Sequence, residues 1–88
     1  MKIELKKFGT VLTSRPAGKE AYLAAKAYTL PKNNGEKIEV DFSEVQVLAP
    51  SWADEFITPL LKEYPGRVIL LSSDNSSVKA SLEIIGAR

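Results

Sequence analysis

The alternation of apolar and polar positions predicts three strands. Apolar residues alternate with charged ones from Ile3 to Phe8, which indicates a first strand that Val11–Leu12 extends after a bend. Residues Ile38–Phe42 alternate in the same way and predict a second strand. The continuous apolar run Val68–Leu71 is typical of a strand that is buried on both faces.

Helical spacing predicts a helix after each strand. The first begins within Thr13–Pro16, since proline is tolerated in the first turn, and ends in the turn-forming residues Leu30–Gly35. The second spans Ser51–Tyr64, and the third ends at Gly86. The predicted core face of the first helix is Ala17, Ala21, Ala24, Ala25 and Tyr28, and that of the third is Val78, Leu82 and Ile85.

This order of elements predicts an α/β fold. Strands that alternate with helices favour a sheet with right-handed crossover connections. We expect one domain over residues 1–88, with a small, mixed and mostly parallel sheet of three to four strands packed against about three helices. The second and third strands should be parallel neighbours, whereas the pattern leaves the direction of the first strand open.

The composition limits the chemistry of the chain. It contains no cysteine and no histidine, which excludes disulfides, thiolate or imidazole metal ligands, and nucleophilic catalysis that depends on either residue. Its five glycines are scattered, so it has no glycine-rich phosphate loop. Asp41 and Asp54 offer oxygen ligands for a hard cation, but two acids are a weak metal signal. We therefore expect no enzyme activity, cofactor or metal.

The sequence also carries signals for location and partners. The N-terminal residues lack the apolar run of a signal peptide, and no apolar stretch approaches a membrane span, which predicts a cytoplasmic protein with no membrane partner. Residues 1–37 hold eight Lys/Arg against three Glu, and residues 38–88 hold four basic against eight acidic residues. This split is either solvated surface charge or a basic patch for an acidic partner. Aromatic residues do not interleave with the basic ones, so nucleic-acid binding is not expected.

The start of the second predicted helix is the candidate site. Ser51-Trp52-Ala53-Asp54 fits the Ser-x-x-acid capping pattern, and Asp54 and Glu55 would lie in the first turn, where the helix dipole favours negative charge. Capping alone accounts for these residues. The alternative is a recognition surface, because crevices at the carboxyl ends of strands are common binding sites in open α/β sheets.

Three other residues have two interpretations each. Asp41, at a strand end, either caps the following loop or contacts a partner. Trp52 is either a core residue or an exposed anchor, since tryptophan is enriched in binding hot spots. Arg15 is either a free surface residue or an ion-pair partner of Asp41, Asp54 or Glu55.

These residues carry a resemblance to a known family. Val40-Asp41-Phe42-Ser43-Glu44-Val45, followed by Ser51-Trp52-Ala53-Asp54-Glu55, is similar to the signature of the bacterial STAS-like domains of uncharacterised function. Phe8-Gly9, Arg15 before a helix, and Val68–Leu71 before a polar loop with Asn75 also match. The resemblance extends over essentially the whole chain and implies a small STAS-like α/β domain.

The family in turn resembles the STAS domains of anti-sigma-factor antagonists. Those domains dock onto histidine-kinase-like ATPases and are switched by serine phosphorylation. When the sequences are aligned from Asp41 without gaps, the phosphorylated serine falls at Pro50, and Ser51 is one position later. A phosphate on Ser51 would be favoured by the helix dipole but repelled by Asp54 and Glu55.

The resemblance and the local chemistry together predict a non-catalytic bacterial regulatory module. It would dock onto a histidine-kinase-like ATPase, or a related signalling partner, through the strand-to-helix surface after Asp41. The expected partner-binding residues are Arg15, Asp41, Ser51, Trp52, Asp54 and Glu55, with Ser51 as the candidate phosphorylation site. Alanine at Trp52 with charge reversal at Asp54 should then abolish binding and leave the fold intact. The alternatives are a small-molecule or nucleotide sensor that uses the same crevice, and a subunit that self-associates.

Overall fold

A computed structural model of the protein describes residues 1–32 and 35–87. Its helices and strands are β1 (Lys2–Glu4), β2 (Val11–Leu12), α1 (Arg15–Tyr28), β3 (Ile38–Asp41), β4 (Val47–Leu48), α2 (Pro50–Glu63), β5 (Val68–Leu70) and α3 (Ser76–Ile84), with a 3₁₀-helix at Leu5–Phe8. The predicted α/β class with three helices is confirmed. The part of the predicted turn at Asn33 and Asn34 lies outside the described residues.

The main sheet has three parallel strands in the order β1-β3-β5. β3 is the central strand, and its Val40 pairs with Ile3 on one side and Leu70 on the other. The predicted parallel pairing of the second and third strands is confirmed. β1 is parallel as well, which answers the question that the pattern left open.

The segment after β1 differs from the prediction. The chain turns into the 3₁₀-helix from Leu5 and then reaches Gly9, whose φ of 126° suits glycine. β2 therefore does not extend the first strand. It pairs with β4 in a separate two-stranded parallel sheet, with Val11 opposite Val47. The sequence pattern predicts no strand at β4, because two residues are too few to show a period.

β5 lies at an edge of the sheet and is not buried on both faces, so that prediction is wrong. Ile69 is 44% exposed and pairs with Glu39, which pairs in turn with Lys2 on β1. The neighbouring row of Ile3 and Val40 is almost completely buried. The sheet thus buries one face, and its other face carries the Lys2, Glu39 and Ile69 row. A run of apolar residues occurs both in an edge strand with one exposed face, such as β5, and in a strand that is covered on both faces, so the sequence does not distinguish the two.

Helices α1 and α2 pack against each other side by side. The closest approach is at Gly18, where an added Cβ would lie 2.7 Å from the carbonyl oxygen of Trp52 and 3.0 Å from its Cα. Further along α1, the hydroxyl of Tyr22 donates a hydrogen bond to Glu63, and Lys26 Nζ contacts the same carboxylate at 2.9 Å. These contacts run in the same direction along both helices, so α1 and α2 are parallel.

The core face of α1 was predicted only in part. Its buried residues are Gly18, Ala21, Tyr22 and Ala25. Ala17, Ala24 and Tyr28 are exposed instead, and Tyr28 is 90% exposed. The small residues on the buried face allow α1 to approach α2 closely.

Helix α3 is joined to β4 through polar side chains. The side chain of Asn75 caps α3 by accepting hydrogen bonds from the backbone N–H groups of Ser77 and Val78, and its amide donates to two backbone carbonyls of the loop before β4. Ser77 Oγ accepts from Leu48 N, and Ser81 Oγ donates to Leu48 O. Serine side chains of α3 thus pair with the backbone N–H and C=O groups of Leu48 in β4, in the way that a neighbouring strand would.

Candidate functional site

Helix α2 begins one residue earlier than the capping pattern predicted. Pro50 is its first residue and Ala49 is the N-cap, with no side-chain hydrogen bond. Proline favours the first helical position because its φ is already helical and it has no N–H to leave unpaired. Ser51 therefore lies inside the first turn, where its Oγ donates to the backbone oxygen of Thr13 at 3.0 Å. The predicted capping box at Ser51 is wrong.

Arg15 and the two acids of α2 form an ion-pair cluster, which we call the Arg15 cluster. Arg15 Nη1 lies 2.9 Å from Asp54 Oδ2 and 2.7 Å from Glu55 Oε2, so one guanidinium nitrogen bridges both carboxylates. Asp54 Oδ1 also accepts a hydrogen bond from Thr58 Oγ1 at 2.9 Å. Asp54 and Glu55 lie beyond the first turn of α2, contrary to prediction, and their ion pairs with Arg15 join the start of α1 to α2.

The Arg15 cluster changes how Asp54 titrates. The hydrogen bond from Arg15, and after it the one from Thr58, lowers the pKa of the Asp54 carboxyl from its ordinary value because both bonds favour the charged form. The stability that this shift contributes is present above the unfolded-state pKa and is lost as the pH falls through the folded-state pKa. The Asp54 side chain is 42% exposed, so solvent screening keeps that contribution small.

We expect Arg15→Gln to raise the pKa of Asp54 towards its ordinary value, because the strongest interaction with the carboxylate form is lost. Thr58→Val should raise it by a smaller amount, since the hydroxyl contributes less. A pH titration of the side-chain carboxyl carbon by NMR measures both shifts. An Asp54 pKa that is equal in the wild type and in Arg15→Gln would contradict the cluster.

Trp52 belongs to the core and is not an exposed anchor. It is 1% exposed, and its indole stacks on the ring of Phe56 with centroids 5.1 Å apart and an interplanar angle of 14°. Phe8 lies against the same pair, with its ring centroid 6.2 Å from that of Trp52. The side chain is therefore out of reach of a partner, and an alanine at this position would act through the fold.

Asp41 caps the loop that follows β3. Its Oδ1 accepts hydrogen bonds from the backbone N and the Oγ of Ser43, at 2.9 and 2.7 Å, and its Oδ2 lies 3.5 Å from Lys2 Nζ. The Ser43 bonds and then Lys2 lower the pKa of the Asp41 carboxyl. These contacts fit the loop-capping interpretation and turn Asp41 towards β1, with none of them made to the Arg15 cluster.

A groove opens beside the Arg15 cluster. It is a shallow, open groove of about 300 Å³ between the starts of α1 and α2 and the end of α3. We call it the α2–α3 groove, and its lining residues are Arg15, Pro50, Asp54, Ile84 and Ile85. Its lining therefore combines charged and aliphatic groups.

The aliphatic side of the groove was missed in the sequence. Ile84 is 69% exposed, whereas Ile85 packs in part against the core. Ile84 lies about 100° around the helix from Ile85, away from the predicted core face of Val78, Leu82 and Ile85. The helical period of that face is the signal by which the sequence could have placed Ile84 outside the core.

The described residues hold no group of three or more acidic residues placed to bind a metal ion. Asp41 and Asp54, the two acids considered for a hard cation, make their contacts with different groups. Among residues 1–32 and 35–87, no helix is both long and apolar enough to cross a membrane.

The parallel sheet, the paired helices and the groove at their starts define a small α/β domain of the layered kind. Comparison with known families gives a narrower assignment. Residues 25–79, more than half of the chain, match the family described as the STAS-like domain of unknown function, and the chain belongs to that family. The predicted family is thereby confirmed. The match contains Asp41 and the α2 site residues, whereas Arg15 and Phe8-Gly9 precede it.

Neither a search of curated proteins nor a search of solved structures found a match to the chain.

Proposed function

We propose that the domain is a non-catalytic regulatory module that binds a protein partner through the α2–α3 groove. The observation that carries the proposal is the exposed Ile84 beside the Arg15 cluster. A large aliphatic side chain at 69% exposure, next to fixed charges, offers both buried apolar area and orientation to a partner.

The proposed docking surface differs from the predicted one. Arg15 and Asp54 line the groove together with Ile84. Glu55 contacts Arg15, and Ser51 follows the lining residue Pro50 in α2, so both stay in the proposed surface as neighbours of the groove. Two predicted residues leave the surface: Trp52 is buried in the core, and Asp41 caps a loop on the β1 side.

The proposed partner is a histidine-kinase-like ATPase or a related signalling protein in the bacterial cytoplasm. This partner class rests on the likeness of STAS-like domains to the anti-sigma-factor antagonists, and the family membership supports the likeness. The groove adds a surface that is open to such a partner.

Phosphorylation of Ser51 is a second part of the proposal. Ser51 is half-buried, and its hydroxyl donates an exposed hydrogen bond to Thr13 O, which belongs to the segment leading into α1. A phosphate would remove that donor and add negative charge within one helical turn of Asp54 and Glu55. Modification would therefore loosen the start of α1 from α2 at the edge of the groove.

The test is an affinity pull-down of the tagged domain from its native cells, read by quantitative mass spectrometry. Ile84→Glu should lower recovery of a kinase-like ATPase by roughly tenfold, because a buried interface anchor is replaced by a charge. Leu23→Glu is the matched control, since Leu23 is 55% exposed on α1 and does not line the groove.

A direct titration of the recovered ATPase against both purified variants follows, with circular dichroism to verify that they are folded. Equal binding by the wild type and by Ile84→Glu would place the docking surface elsewhere. If no ATPase is recovered, and ATP instead shifts the amide NMR signals of groove residues saturably, the domain is a nucleotide sensor. Concentration-dependent sedimentation without a partner would identify a self-associating subunit.

A further inference from the structure

We infer that the α2–α3 groove accepts a partner segment in which an aliphatic side chain stands next to a lysine or arginine. The inference rests on the proposed function and specifies the chemistry of the segment that docks. It follows from the aliphatic surface of the groove and from the net negative charge of the Arg15 cluster, of which Arg15 and Asp54 line the groove and Glu55 contacts Arg15 from outside the lining.

The side chains of the Arg15 cluster leave negative charge in excess. One guanidinium faces two carboxylates at 2.7 and 2.9 Å, so its positive charge is already compensated within the domain. Each carboxylate oxygen can accept more than one hydrogen bond, and the Asp54 side chain is 42% exposed beside the groove. An incoming cation can therefore add to the cluster without displacing Arg15.

The helix dipoles at the groove do not cancel the net negative charge of the Arg15 cluster. α2 presents its N-terminus at Pro50, with partial positive charge, and α3 presents its C-terminal residues Ile84 and Ile85, with partial negative charge. Each end corresponds to roughly half an elementary charge, of opposite sign. The two contributions offset each other, and the carboxylates decide the preference for a cation.

The aliphatic surface of the groove comes mainly from the end of α3. Ile84 and Ile85 at this end, with Pro50 of α2, provide surface on which a leucine or isoleucine of the partner can rest. The groove volume of about 300 Å³ lies at the lower end of the range for small-molecule sites and is open to solvent, so it suits a few side chains of a protein segment. A cation next to that aliphatic residue would face Asp54, whereas an acidic neighbour would be repelled.

The probe for this inference is a phage library of randomised 12-residue peptides, selected on the immobilised domain. On the wild type we expect enrichment of peptides with leucine or isoleucine within one helical turn of lysine or arginine. On Asp54→Lys the enriched charge should change to aspartate or glutamate. Glu20→Lys, at an exposed carboxylate on α1 outside the groove lining, should keep the wild-type preference.

A synthetic peptide chosen from the wild-type selection should bind Asp54→Lys about tenfold more weakly, because an attractive contact becomes a repulsive one. Asp54→Asn, which keeps the size of the side chain, should give an intermediate loss. Enrichment of acidic peptides on the wild type, absence of any enriched pattern, or the same peptides on Asp54→Lys would each overturn the inference.

These outcomes are separable from a failure of the proposed function. If Ile84→Glu loses the ATPase in the pull-down and Asp54→Lys retains it, the groove is the docking surface and the basic residue is not needed. If the selection gives the expected peptides and no ATPase is recovered, the groove chemistry stands and the partner class is wrong.

Discussion

Replacing Trp52 by alanine is expected to destabilise the protein by about 3–5 kcal/mol, the range for removing a large aromatic side chain from a core. Trp52 is 1% exposed, stacks on Phe56 and touches the ring of Phe8, so its loss leaves a cavity bordered by two aromatic rings. Small domains have free energies of unfolding of about 5–15 kcal/mol, and this change removes a large part of that margin.

The measurement is urea unfolding followed by circular dichroism, for the wild type and Trp52→Ala. Ile84→Ala serves as the control, because Ile84 is exposed and its truncation should change the free energy of unfolding by about 0.5 kcal/mol or less. A stable Trp52→Ala protein that loses only partner binding would restore the earlier interpretation of Trp52 as an exposed anchor.

Gly18→Val is expected to cost about 3 kcal/mol, at the upper end of the usual range for overpacking. A Cβ at this position would lie 2.7 Å from Trp52 O and 3.0 Å from Trp52 Cα, and both atoms belong to the backbone of α2. Backbone cannot rotate away as a side chain can, so α1 would have to move off α2. The shift would also pull Arg15 from its two carboxylates.

Gly35→Ala is the matched control, because an added Cβ there has no heavy atom within 4 Å. It should leave the unfolding midpoint in urea almost unchanged. Gly18→Ala should be destabilised less than Gly18→Val, since alanine gains helix propensity that offsets part of the clash. If Gly18→Val unfolded at the wild-type urea concentration, the close approach of α1 and α2 would be disproved.

The α/β class and the three helices could be predicted because long periodic segments and their stop signals are local properties of the sequence. The strand details could not. Nothing in the run Val68–Leu71 shows that β5 has a neighbour on one side only. The pairing of Val11 with Val47 joins two segments that are distant along the chain and too short to show a period.

The contacts among the candidate site residues could be predicted only in part. Arg15, Asp54 and Glu55 were considered as ion-pair partners, and the structure joins them. The burial of Trp52 depends on tertiary packing, on which a single sequence is silent, whereas the loop cap at Asp41 is a contact two residues away that the sequence already offered as one interpretation.

The uneven charge along the sequence also has a structural account. Cations of the basic first part pair with acids of the second, as in Lys6 with Glu44 and Lys26 with Glu63. The split therefore reflects, at least in these pairs, contacts between segments that the fold brings side by side. The uneven charge could not be interpreted from the sequence alone, because the two residues of each ion pair lie far apart along the chain.

The parallel pairing of the strands has a consequence for how the chain folds. Among the described residues, a helix lies along the chain between the two strands of every pair. No β-hairpin is therefore present to act as a local folding nucleus. The chain must lose the entropy of closing a long loop before any of these strand pairs can form its stabilising hydrogen bonds. Folding is therefore expected to be slower than that of helical proteins of this size. Residues 1–32 contain β1 and β2 but neither of their partners, so that segment can acquire its sheets only after β3 and β4 have joined it.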